Sequence, residues 1–430
     1  MSLQRLAFRL RNSLWFIPGL WVIGAGLLAF VMTWLDSVTP DFDRSLPLVF
    51  GGGPDGARSV LSSIAGSTIT VAGVTFSITI VALQLASSQF SPRVLRDFMR
   101  DRVSQSVLGS FIGAFFYALL VLRSIRSADE TGPEFVPSLA VTTAIVLAVV
   151  AVVMLIYFIH HISTRIQVSS IVGGIASATE RAFERQDDPD ADGGARDHRS
   201  DAELPDGEAQ AVAAAQPGYL QLVDRDGLVD LARELDLVLR LEVAPGDWVQ
   251  RGAPVISVWP AASGSEQLTR RLNGCLSYGP ERSLDQDPAF GLRQLVDVAV
   301  KALSPGINDP TTARDCISRV TQVLLAAGRA GQPRTQHTDD EGRLRLVERS
   351  RGFAELVSLG FDEIRHHGTR IPEVAIALGD ALRALGALLP PALHPPLAAQ
   401  AALLREAAAL IEPAGERRRV EARLSDLPDA

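Results

Sequence analysis

Residues 59–89 form a stretch long and apolar enough to cross a bilayer, yet it carries Ser59, Ser63, Ser67, Thr68, Thr70, Thr75, Ser77, Thr79, Gln84 and Ser88. Hydrocarbon offers such groups no hydrogen-bond partners, so a helix facing lipid all round has no use for them. At about 100° per residue, Ser59, Ser63, Gly66, Ser67, Thr70, Gly73, Ser77, Gln84 and Ser88 share one face. Thr68, Thr75 and Thr79 make a narrower stripe on the far side, and Val74 and Val81 interrupt the main face. Two readings follow. Small residues let transmembrane backbones approach and hydrogen-bond, which makes the face helix–helix glue. Alternatively the face lines a water-filled path. Gln84 weighs toward the second, because an amide at membrane depth is costly without water or a partner. A lone Ser or Thr discriminates poorly, since its hydroxyl can bond back to its own helix.

The chain has 430 residues, 47% of them hydrophobic, with a mean hydropathy of +0.18, which fits a membrane part joined to a soluble part. Further segments at 14–35, 103–122 and 136–159 are also long and apolar enough to span, giving four predicted transmembrane helices. The first holds Trp15, Trp21 and Trp34, mostly near its ends, as interfacial anchors would be. It is too long for a cleaved signal and lacks a small-residue cleavage pattern. Arg5, Arg9 and Arg11 precede it, Arg93, Arg96, Arg100 and Arg102 follow the second span, and Arg165 follows the fourth. The other loops carry Arg44 and Arg58, then Arg123 and Arg126. The positive-inside rule then places both termini in the cytoplasm. Cys275 and Cys316 suit a reducing compartment and supply no disulfide framework or metal set. A net charge of −8 gives no indication of nucleic-acid binding.

The expected organisation is a four-helix membrane domain over 1–170, then a helix exit and disordered acidic linker over 171–216. A small β-rich module follows over 217–262, and a mainly helical domain over 263–430 completes a cytoplasmic α+β region. Between the second and third spans, Pro92 breaks the helix. Arg93, Arg96 and Arg100 then share a face that suits anionic headgroups or a positively charged inner pore mouth. Ala244-Pro245-Gly246-Asp247-Trp248-Val249, continuing through Gly252 to Pro254 and Val255, resembles the compact β-sandwich of biotinyl and lipoyl carriers and membrane-fusion adaptors. In those carriers a lysine takes the cofactor. Lys301 is the only lysine here and lies outside the module, so a binding or assembly role is expected instead, with no cofactor.

No enzyme motif is present: no Gly-rich phosphate loop, G-x-S-x-G, H-E-x-x-H or C-x-x-C. No enzyme activity and no metal site are therefore expected. Neither His160-His161 nor His366-His367 can clamp a metal from one helix face, because adjacent residues diverge. The remaining candidate is the loop at 304–312, where Lys301, Ser304, Asn308, Asp309 and Thr311 cluster with Thr312. Asp285 and Asp287 upstream could complete a polar pocket. Equally, Asp309 is an N-cap with Pro310 at the first helical position.

Four segments carry a wider resemblance: Arg9-Leu10-Arg11-Asn12-Ser13-Leu14-Trp15, the run 68–93, Asp287-Pro288-Ala289-Phe290-Gly291, and 302–311. Together they are similar to a widespread bacterial family of predicted integral membrane proteins of unknown function. The resemblance covers nearly the whole chain and implies a multi-span protein of the bacterial inner membrane. It implies no activity. The functional expectation is an oligomeric ion or small-solute channel. Ser63, Ser67, Thr70, Ser77, Gln84 and Ser88 line its path, and the cytoplasmic region serves as vestibule or gate. The alternative is a membrane-anchored sensor or scaffold whose soluble domain binds a ligand or partner. Expected partners are membrane lipid, further copies of the chain and an inorganic ion.

Overall fold

The computed structural model describes residues 15–38, 49–89, 101–127, 135–165, 167–187, 204–261, 266–331 and 333–427. The chain divides into two compact units, Met1–Gln167 and Val168–Ala430.

The first unit is built from α1 (Phe16–Val38), α2 (Pro54–Gln89), α3 (Arg102–Ser124) and α4 (Ser138–Arg165). All four are long and apolar enough to cross a membrane. Helix α3 packs against each of the other three. Its small residues allow this. A Cβ on Gly109 would meet Trp21 Cδ1 at 2.5 Å, and one on Gly113 would meet the Trp21 carbonyl oxygen at 3.4 Å. Gly109-x-x-x-Gly113 is therefore a close-approach surface of the transmembrane type, and Trp21 fills it. Trp21 is thus a packing residue against α3, whereas Trp15 and Trp34 stay exposed near the ends of α1. The core between the helices combines Ala25, Ala29, Leu61, Ala65, Ala118 and Ala144 with the fully buried Tyr117.

The second unit starts with α5 (Val168–Asp187), which packs on α8 (Pro288–Ala302) and α9 (Pro310–Ala330). Eight strands fall among its described residues: β1 (Gln210–Ala213), β2 (Gly218–Val223), β3 (Val238–Leu241), β4 (Trp248–Val249), β5 (Pro254–Trp259), β6 (Leu276–Gly279), β7 (Gln336–Thr338) and β8 (Leu344–Val347). They form a five-stranded sheet of order β1-β5-β3-β8-β7 and a three-stranded sheet of order β4-β2-β6. Pairing is antiparallel except between β3 and β8, where Leu239 faces Leu346. Both sheets share one core, in which Leu220, Leu239, Ile256 and Leu346 pack with α6 (Arg225–Glu234) and α7 (Glu266–Gly274).

The sheets reach beyond residues 217–262. β1 falls in the stretch expected to be a disordered linker, and it pairs with β5 from Gln210↔Val258 to Ala213↔Pro254. Residues 188–203 of that linker lie outside the described residues. β6 lies within 268–327, which reads as helical from sequence, because Leu276 to Gly279 is recruited by β2 rather than by its own propensity.

Helices α10 (Phe353–Gly368), α11 (Pro372–Leu388), α12 (His394–Ala408) and α13 (Ala414–Leu424) complete the unit. The last is strongly charged yet anchored. Its charges are exposed, but Val420, Leu424 and Leu427 are buried. Leu424 packs so closely on Gly379 of α11 that a Cβ there would overlap it.

Candidate functional site

Helix α2 has two polar faces, and they point in opposite directions. Ala57, Leu61, Ala65, Thr68, Ala72 and Thr75 recur every three or four residues, Ala82 follows two turns on, and all are buried against the other spans, with Thr68 at 6% exposure and Thr75 at 2%. This small-residue stripe is the helix–helix contact within the chain. Ser63, Ser67, Thr70, Ser77 and Gln84 lie on the opposite, exposed side. The serine face is therefore not glue inside one bundle. Ser88 is in the last turn of α2 with its side chain outside the described residues, as are Arg93, Arg96 and Arg100 entirely.

The hydroxyls of the exposed face donate down their own helix. Ser63 Oγ donates to the Ser59 carbonyl at 2.8 Å, Thr70 Oγ1 to Gly66 at 2.7 Å and Ser77 Oγ to Gly73 at 3.0 Å. Ser67 donates likewise to Ser63. Their protons are satisfied, and their lone pairs remain outward. Gln84 differs: a primary amide cannot be quieted by one back-bond, and its exposed side chain has no hydrogen-bond partner among the described residues. On the inner face, Thr79 Oγ1 donates to the Thr75 carbonyl at 2.9 Å, while the buried Thr75 Oγ1 has no partner among the described residues.

Buried acids secure both ends of the bundle, and periodicity alone does not reveal them. Asp36, in the last turn of α1, accepts from the Leu139 and Ala140 amides at 3.0 Å each. It thus caps α4 from another helix and satisfies donors that α4 cannot. Tyr117 Oη donates to the Ala140 carbonyl at 3.0 Å beside it. At the opposite end of α3, Asp101 caps that helix through the Ser104 amide at 3.3 Å. The same carboxylate lies 2.8 Å from His161 Nε2, and His161 stacks on Tyr157 with centroids 6.0 Å apart. Of the adjacent histidines, His161 turns inward to Asp101 and His160 stays exposed.

In the second unit, the 304–312 loop is a capped turn between α8 and α9. Asp309 accepts from the Thr312 amide at 3.1 Å and from its hydroxyl at 2.6 Å, and these bonds hold its carboxyl below the usual range. The Asp309 amide donates to the Ala302 carbonyl at 2.8 Å, and Asn308 takes a left-handed φ of 49°. Lys301, Asn308 and Thr311 are exposed, and Ser304 donates to the Lys301 carbonyl. Asp285 and Asp287 do not join them. They precede the 15-residue α8, whose length separates its ends by about 22 Å.

Asp287 belongs instead to a buried ion cluster that explains the Pro245-Gly246-Asp247 turn. Its carboxylate is 2.7 Å from Arg282 and 3.0 Å from Arg351, which continues to Asp247 at 2.8 Å. Burial pushes the Asp287 carboxyl up against the pull of both guanidiniums. Gly246, with φ of 91°, gives the carboxylate room, since a Cβ there would overlap Asp287 Oδ2. The motif thus anchors a sheet to the start of α8 and carries no cofactor attachment point. A second cluster joins Glu348 to Arg225 at 2.6 Å and to His337 at 3.1 Å. Burial alone would raise the Glu348 carboxyl, but His337 and Arg225 hold it below the ordinary range. Among the described residues, no set of three or more His, Cys, Asp or Glu could hold a metal ion.

These features define a polytopic membrane protein: four apolar helices with a mixed helix-and-sheet region following them. Comparison with known proteins gives the family. Residues 11–384 match the family described as "Predicted membrane protein (DUF2254)", and the chain belongs to it. It is 33% identical over 384 residues to uncharacterized protein Mb1321c of Mycobacterium bovis, an alignment spanning 87% of this chain and 72% of that one. The same figures hold for uncharacterized protein Rv1290c of Mycobacterium tuberculosis. No solved structure matches the chain.

Proposed function

We propose that several copies of this protein assemble in the bacterial inner membrane as an ion or small-solute channel, with the serine face of α2 lining the shared path. The observation that carries the reading is the outward direction of that face. Ser63, Ser67, Thr70, Ser77 and Gln84 are exposed in the single chain, while the Ala57-to-Ala82 stripe makes the internal contacts. Outward lone pairs and an unpartnered amide at membrane depth call for water or another protein surface. Copies arranged around an axis supply both. Both termini then lie in the cytoplasm, where the second unit acts as vestibule or gate. Arg93, Arg96 and Arg100 flank the inner mouth, and inorganic ions are the transported species. The protein acts without enzymatic chemistry.

A second reading has its own support. The back-bonded hydroxyls of Ser63, Ser67, Thr70 and Ser77 suit close packing between copies just as well as a wet lumen. In that case the protein is a membrane-anchored sensor or scaffold. Ion flux through liposomes holding the purified protein separates the two. Thr70→Leu, Ser77→Leu and Gln84→Leu are expected to reduce flux several-fold while leaving the oligomer intact. Silent liposomes containing well-folded oligomer, across several ions and stimuli, would sink the channel reading.

A further inference from the structure

The last turns of α1 and α3 border a cleft of about 470 Å³ whose chemistry the channel reading leaves unused. Arg123 and Arg126 enter it from the end of α3, and both are exposed. Among the described residues, no carboxylate lines the cleft and neither arginine has an ion-pair partner. The buried Asp36, next to Ser37 in α1, accepts from the Leu139 and Ala140 amides. Among the described residues, the two guanidiniums therefore face a space that no carboxylate enters.

The remaining walls suit the membrane–water boundary. Trp34 and Phe30 border the cleft from α1, and Phe135 closes it, lying 6.0 Å from the Arg126 guanidinium carbon. The hydroxyls of Thr33, Ser37 and Ser124 donate to carbonyls of their own helices, so among the described lining residues the arginines are the donors left for a ligand. The cleft therefore favours an acceptor-rich anion. Below it, Leu20, Ile23, Leu27, Phe30 and Trp34 recur every three or four residues and are all exposed. This apolar strip runs about 21 Å down α1 from the cleft, more than one bilayer leaflet.

The geometry points to a binding site for an anionic phospholipid. Its phosphate sits between Arg123 and Arg126, and an acyl chain lies along the exposed strip of α1. A bare strip would contact lipid indiscriminately, and bare arginines would take any phosphate. Their alignment at one span end is what selects a lipid anion. The inference does not depend on the channel reading.

Full-length protein in detergent is incubated with phosphatidylglycerol or phosphatidylcholine, and retained lipid is counted by native mass spectrometry. Preferential, saturable retention of phosphatidylglycerol is expected. The Arg123→Gln/Arg126→Gln variant should lower that retention about tenfold or more, at roughly 1 kcal/mol per interfacial arginine. Arg123→Lys/Arg126→Lys should largely preserve it. Arg102→Gln, which removes the same charge at the other end of α3, should leave it unchanged. Millimolar inorganic phosphate should not displace the lipid. Equal retention of both lipids by the unaltered protein overturns the site without any variant having to fold. Undiminished retention by the double Gln variant also overturns it, and displacement by free phosphate reassigns the cleft to soluble anions.

Discussion

Single side chains set the limits of what each part of this molecule can do. Asp36 is an acid inside a membrane bundle, tolerable because two α4 amides replace its water. Asp36→Ala removes both acceptors and is expected to cost about 1–2 kcal/mol, read as a lower unfolding temperature in detergent. Glu348 gives a pH prediction with a definite sign. Its carboxyl is held below the ordinary range in the fold. Its contribution is therefore full above the unfolded pKa of about 4.3 and is lost as pH falls through the lower folded value. Glu348→Gln leaves Arg225 without its charge partner and should cost roughly 3 kcal/mol at pH 7. The gap between the two proteins should narrow below about pH 4 in thermal unfolding. A gap that stays constant well below that pH would contradict the charge assignment.

At the scale of elements, α2 shows what the sequence discloses and what it withholds. Its length, its apolar content and the two angular groups of polar residues are all legible from spacing. Which group faces inward is not, because serine, threonine and alanine serve packing and solvation equally well. The decision depends on α3 and α4, whose Val107, Phe111 and Ala151 share a buried core with Ala72 of α2. Likewise the strand character of β2, β3 and β8 follows from local alternation, but β6 exists only because β2 offers it an edge. The Gly246 turn is visible as a motif. Its partner Asp287, 41 positions later, is not, since sequence separation hides a contact made through Arg351. A contrast between the faces of α2 tests its assignment. Ala65→Leu and Ala72→Leu should overpack the bundle and cost about 1–3 kcal/mol each. Ser63→Leu and Ser77→Leu should change monomer stability by about 0.5 kcal/mol or less. Thermal unfolding in detergent reads the difference.

For the whole molecule, the central question is what the exposed serine face of α2 meets. Among the described residues the chain offers it nothing, because its α3-facing side is the other one. Packing between copies and a wet lumen both satisfy the hydroxyls, and they differ in whether water reaches Thr70, Ser77 and Gln84. Subunit counting in detergent is informative here, since a strict monomer leaves the face against lipid alone. The most direct measurement is cysteine accessibility in intact membranes. Thr70→Cys and Ser77→Cys are treated with a charged, membrane-impermeant thiol reagent beside Phe76→Cys, with the parent protein reporting the background of Cys275 and Cys316. Phe76 is exposed but turned away from the serine face. Rapid modification at 70 and 77 and none at 76 is expected if water fills the path. Positions 70 and 77 remaining as unreactive as 76 would contradict a water-filled path along α2.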